Sequence, residues 1–240
     1  MTIIRFGVAL VGLLFVPLAA AAGQGAPTPD QRIAALKQSL QDSQAQLRKL
    51  EWIETTIISL KGEEKARTQQ RCYYGADGKI QKVAMGESPK PAPEPPAGKR
   101  GGRAKAKIVE NKKSDIQEYM ERAAALIHQY VPPAPAQIQK VKDAGKLTVK
   151  PIEASRVRLE LRDYVQAGDV LGIDINAASN SLAALSVATY LDKAEDTVAL
   201  AVKWGSLQDG TGYVAQTTLD AKAKNIQVVI QNSGHRPLTQ

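Results

Sequence analysis

Few residues of this 240-residue chain are of types that do chemistry, and their spacing keeps them apart. The single cysteine, Cys72, stands beside Tyr73 and Tyr74 at the end of a predicted strand. One thiol supports neither a disulfide framework nor a cysteine-rich metal site. With no histidine close to it in sequence, it reads as a small buried hydrophobe or, in an oxidising compartment, as a thiol that pairs with another chain. The only two histidines, His128 and His235, are far apart. His128 falls in the last turn of a predicted helix, where the dipole favours a cation, so it reads as a surface or capping residue. Asp163, Asp169 and Asp174 cluster in sequence, but Asp169 lies in a turn and a whole strand separates the other two. Paired acid–base carboxylates must flank one substrate cleft, and this spacing does not provide that. The glycines of LQDGTGYV (207–214) precede no predicted helix that would present its N-terminus to a phosphate, so they mark a hairpin turn. GxSxG, HExxH, P-loop and EF-hand patterns do not occur. The expectation is a protein that is not an enzyme, with no catalytic residue, no cofactor and no metal.

The elements that position these residues begin after an apolar leader. Arg5 precedes the apolar run Phe6–Leu18, and Ala20, Ala21 and Ala22 follow, the order of a secretory signal peptide cleaved after Ala22. The run is short for a membrane span, which needs roughly 20 residues; an uncleaved anchor is the competing reading. Residues 23–240 are then one domain. Both phenylalanines leave with the leader, so its core is aliphatic, with two Trp and seven Tyr. Ile33, Leu36, Leu40, Ser43, Leu47 and Leu50 recur at helical spacing behind Asp30, a candidate N-cap. Three strands follow at about 52–60, 64–74 and 79–85, joined at KGE and ADGK turns.

Residues 87–107 interrupt this pattern with a Pro-rich stretch and then Gly and cations. Five of the chain's +8 formal charges lie in 87–113. The segment reads either as a solvated insert or as a contact for an anionic surface or acidic partner through Lys99, Arg100, Arg103, Lys105 and Lys107. It lacks interleaved aromatics, so nucleic acid is not the expected partner. A second helix runs from a Ser114/Gln117 capping box to VPPAP, with Ile116, Tyr119, Met120, Ala123, Ile127 and Tyr130 on its apolar face. Seven further strands alternate with turns too short for parallel crossovers. The predicted fold class is mainly β with two helices (α+β): a large curled antiparallel sheet forming an unclosed half-barrel, covered by amphipathic helices. Between sheet and helices lies either a ligand cavity or a filled core.

The order of elements over about residues 30–231 resembles the LolA-like superfamily of periplasmic lipoprotein carriers and sorting proteins. The pieces carrying the resemblance are YYGADGKIQKV, similar to that group's strand–turn–strand, and the late hairpin around Leu207–Thr217 within WGSLQDGTGYVAQTTLD. The resemblance implies a divergent periplasmic member, whose half-barrel accepts acyl chains of a lipid or lipoprotein under a helical lid. Candidate cavity residues are Ile57, Met120, Ile127, Leu159, Leu161, Leu200 and Val202, with Arg122 a candidate polar residue of the lid. The function this implies is a non-enzymatic carrier of a hydrophobic ligand. The alternative is an envelope interaction module that binds an anionic partner through the basic insert.

Overall fold

The computed structural model describes residues 29–86, 102–153 and 155–238, with side chains from residue 38 and, after the insert, from residue 114. The predicted leader at 1–22 lies outside this set, as do Lys99 and Arg100. Alternating apolar and polar residues, broken by turn sequences, produce ten strands: β1 (Leu50–Leu60), β2 (Glu63–Tyr74), β3 (Ile80–Ala84), β4 (Leu147–Glu153), β5 (Arg156–Arg162), β6 (Val170–Asn176), β7 (Ser181–Tyr190), β8 (Thr197–Ser206), β9 (Gly212–Ala221) and β10 (Ile226–Pro237). They form one antiparallel sheet ordered β3-β2-β1-β10-β9-β8-β7-β6-β5-β4. Every neighbour is consecutive in sequence except β1 and β10, which join the first three strands to the last seven. The sheet is unclosed: β3 and β4 are its edges. The turns use the predicted chemistry. At the β1–β2 turn Lys61 and Gly62 both take positive φ (54° and 81°), the geometry of the tight hairpin that KGE suggested.

The helix count corrects the predicted fold class. Three α-helices are present: α1 (Pro29–Leu47), α2 (Gly102–Ile127) and α3 (Pro135–Asp143). The prolines after Tyr130 do stop α2, but Pro135 also opens α3, where its fixed φ and missing N–H suit the first helical turn. Ile138 and Val141, three residues apart, bury its inner side. The α2 start differs as well. It lies at Gly102, so Ser114 is inside the helix, and Arg103, Lys105 and Lys107 belong to its backbone. Ala, Arg, Lys and Glu all have high helix propensity, and that continues the helix upstream of the capping signal. At the other junction Leu50 opens β1 instead of ending α1.

Strand register separates two faces. On the inner face Leu147, Leu161, Leu171, Val187, Leu200 and Leu219 lie opposite one another in successive strands, and Val149, Leu159, Ile173, Leu185 and Val202 make a second row. Tyr119, Ala123, Ile127, Tyr130, Ile138 and Val141 of the helical layer pack onto these rows in one continuous core. Burying each large aliphatic side chain there contributes about 1.5–3 kcal/mol. The outer face carries Arg158, Glu160 and Arg162 of β5 and Lys203 of β8.

The helices are also a connection between edges. The chain leaves β3 at one edge and enters β4 at the other, with α2 and α3 between them. Ten flat strands at ~4.8 Å spacing span about 43 Å. The 26-residue α2 is about 39 Å long at ~1.5 Å per residue. The helical layer is therefore a strap over the inner face, tied covalently only at its two ends.

Candidate functional site

Among the described residues, no three His, Cys, Asp or Glu side chains converge as a metal site. Cys72 is fully buried, and that burial pushes its thiol up to about 11. Asp163 pairs with Lys146 at 2.9 Å, and Asp174 with Arg158 at 2.6 and 2.8 Å, so these acids neutralise cations on the sheet. His128 is exposed after the last turn of α2. The feature that organises the molecule is instead the apolar inner face and the way the strap is held against it.

Six of the seven candidate cavity residues meet there. Ile127, Leu159, Leu161, Leu200 and Val202 are buried in the common core, and Met120 is half-buried against it. Ile57 stands apart. It pairs with Val229 of β10 and Arg67 of β2, in register with Thr218 and Ala201, which places it on the outer face. The alternation of WIETTIISL allows either face to be inner, because Ile57 and Ile58 are both apolar; Ile58 occupies the inner side, opposite Val228. In this state helix side chains fill the space over β5–β9. Toward β1 and β3 the inner face becomes polar: Lys82 donates to both carboxylate oxygens of Glu54, at 2.5 and 2.7 Å, beside Asn232 and Cys72.

The strap is fastened by polar contacts at one end of the sheet. Asp169, fully buried in the β5–β6 turn, accepts the backbone N–H groups of Tyr164 (2.6 Å), Val165 (2.9 Å) and Gln166 (2.8 Å). Its Oδ2 also accepts the hydroxyl of Tyr130, at 2.6 Å, from the elbow between α2 and α3. The Tyr130 hydroxyl lies 2.8 Å from Thr189 Oγ1, which Gln166 Nε2 also reaches at 2.9 Å. Burial, and then the bond to Asp169, hold the Tyr130 phenol above its ordinary range. Tyr164 accepts the Ala134 N–H at 2.7 Å, and Gln137 donates to the Tyr164 carbonyl, so the start of α3 is tied to the same turn. Farther along α2, Tyr119 donates to Asp196 and Arg122 to Asp192, both in the β7–β8 turn. The candidate lid residue Arg122 lies on the exposed side of α2, in an ion pair with the β7–β8 turn of little energetic weight. At the opposite end, Gly212 N–H donates to Ser43 Oγ of α1 at 2.9 Å.

The latch was not visible as a site in sequence. Asp169 sits in an AGD turn, and turn chemistry alone accounts for an aspartate there. The available signal was the neighbouring tyrosines, Tyr130 after a helix and Tyr164 before the turn, whose hydroxyls need partners when buried.

No protein-family model matches the chain, and no curated protein matches it. Among solved structures, a DUF1329-family protein from Desulfovibrio piger is 12% identical, over 85% of this chain and 92% of its own, with a TM-score of 0.38. A LolA-superfamily protein from Nitrosomonas europaea is 9% identical, over 85% of this chain and 94% of its own, with a TM-score of 0.33. Both are weak resemblances of fold.

Proposed function

We propose that this protein is a non-enzymatic binding protein for an apolar or acyl-chain ligand, taken up between the inner sheet face and the helical strap. The observation that carries this reading is the division of labour between the two layers. The sheet presents rows of Leu, Ile and Val across β4 to β10, and the cover over them is fastened at the turns by side-chain hydrogen bonds and ion pairs. An apolar ligand gains about 25 cal/mol for each Å² of apolar surface that it removes from water. A chain lying on these rows in place of Ile127, Ala123 and Tyr119 recovers what their displacement loses. The polar latch then sets the cost of opening, and the edge connections keep the displaced strap tethered. The leader-like sequence at 1–22 supports a periplasmic setting for this activity, where a carrier would shield acyl chains from water.

The test is a titration of delipidated mature protein with a fluorescent long-chain fatty acid. Saturable one-site binding that raises amide exchange in α2 and α3 supports the reading. Absence of binding, or binding that leaves that exchange unchanged, overturns it. A role for the basic segment in recruiting an anionic partner remains a separate proposal, since Lys99 and Arg100 lie outside the described residues.

A further inference from the structure

On the outer face, away from the strap, β1, β2 and β10 build a second charged site. Glu51 is 1% exposed, yet it is ionisable and stands at the start of β1. Its Oε1 accepts Nε of Arg236 from β10 at 2.6 Å, and its Oε2 accepts Nη1 of Arg71 from β2 at 3.2 Å. A β-bulge makes this possible. Ile53 pairs with Ser233 while Glu51 pairs with Arg236, so Gly234 and His235 together face the single residue Trp52. Gly234 takes φ +65°, the left-handed turn such a bulge needs. The extra residue stacks His235 on Trp52, with ring centroids 5.9 Å apart, and sets Arg236 over Glu51. The guanidinium carbon of Arg71 also lies over the Tyr73 ring, 5.6 Å from its centroid.

Two cations share one anion here, and both guanidinium groups reach solvent, with side-chain exposures of 39% for Arg71 and 66% for Arg236. Glu51 uses one N–H of each. A guanidinium has five N–H donors, and among the described residues no other hydrogen bond occupies those that remain. Both arginines line a shallow, solvent-open depression whose walls include Ile53, Met85 and Gly234. Met85 is 45% exposed, an apolar side chain left in water beside the two cations. Such a pair, pre-positioned by a buried carboxylate and carrying one net positive charge, suits a tetrahedral oxyanion that accepts from both forks at once.

We infer that Arg71 and Arg236 form a binding site for a phosphate group, with Ile53 and Met85 contacting whatever apolar body carries it. The site is independent of the inner-face reading, being built on the opposite side of the sheet. Isothermal titration of the mature protein with inorganic phosphate, dihexanoyl phosphatidic acid and dihexanoylglycerol tests it. The first two probes are expected to bind one to one, the glycerolipid without phosphate to show no competition with them, and Arg236→Gln to weaken binding roughly ten- to hundredfold. Arg71→Gln repeats the loss from the second fork, and circular dichroism confirms that either variant is folded. Tighter binding of phosphatidic acid than of inorganic phosphate assigns the group to a lipid headgroup; equal affinity assigns it to a free anion. Absence of phosphate binding, or affinity unchanged in both folded variants, overturns the inference. Failure of the fatty-acid titration leaves these results as they stand.

Discussion

Cys72 shows how burial decides chemistry at the scale of one residue. Its side chain is enclosed between β1 and β3, opposite Trp52 and Lys82, and its thiol is pushed up to about 11, first by burial and then by the nearby Glu54 charge. At pH 8 that leaves about one thiol in a thousand ionised. The expected outcome is no reaction with a disulfide exchange reagent in the native state and complete reaction in denaturant; a fast native reaction would contradict the burial. His235 makes a complementary case. Burial beside Trp52 and Tyr213 lowers its pKa below the ordinary 6.5. Below pH 6.5 the unfolded chain therefore binds more protons than the folded one, and stability falls as pH drops from 6.5 toward the folded value. Urea midpoints should decline between pH 7 and pH 5 in the wild type and decline less in His235→Phe. Equal declines would assign the effect to other groups.

Among the elements, the latch between the α2–α3 elbow and the β5–β6 turn has the most to lose from a single substitution. Asp169→Asn replaces a carboxylate that accepts three backbone N–H groups and the Tyr130 hydroxyl, and it places a donor among donors. It should destabilise by about 2–4 kcal/mol, and amide exchange should rise in α3 and the second half of α2 before it rises in β7 and β8. Uniform acceleration everywhere would show that strap and sheet open as one unit. The strands and their turns were legible in sequence because alternation has a period of two and KGE, ADGK and AGD carry the positive-φ residues their turns use. The helices were less so. In PAPAQIQKVKD the same proline signal that closes one helix opens the next, and only two buried residues, Ile138 and Val141, mark the short α3 face. The upstream half of α2 was hidden because GRAKAKIVENKK combines strong helix formers with the charge and glycine content of a solvated insert. The inner-face residues of β5 and β8 could be read from pattern; the face of β1 could not, because Ile57 and Ile58 differ only in register.

For the whole molecule, the topology sets an apolar sheet face beneath a helical cover that runs from one edge to the other. The β1–β10 pairing in the middle of the sheet joins its first three strands to its last seven, which leaves the two open edges to be bridged by the strap. The opening proposed above would break no strand pair, and Tyr119 and Tyr130 hold the cover to the turns in its closed position. If ligand binds only the opened state, apparent affinity scales with the fraction of molecules that are open. Weakening the latch then strengthens binding, the opposite of what a mutation does to a ligand contact. The most direct measurement is the fatty-acid titration repeated on Tyr130→Phe, which keeps the ring and removes the hydroxyl that reaches Asp169 and Thr189. Loss of about 1.4 kcal/mol of latch energy should tighten apparent binding by up to about tenfold while lowering global stability. Unchanged or weaker binding in the folded variant would contradict a ligand site beneath the strap.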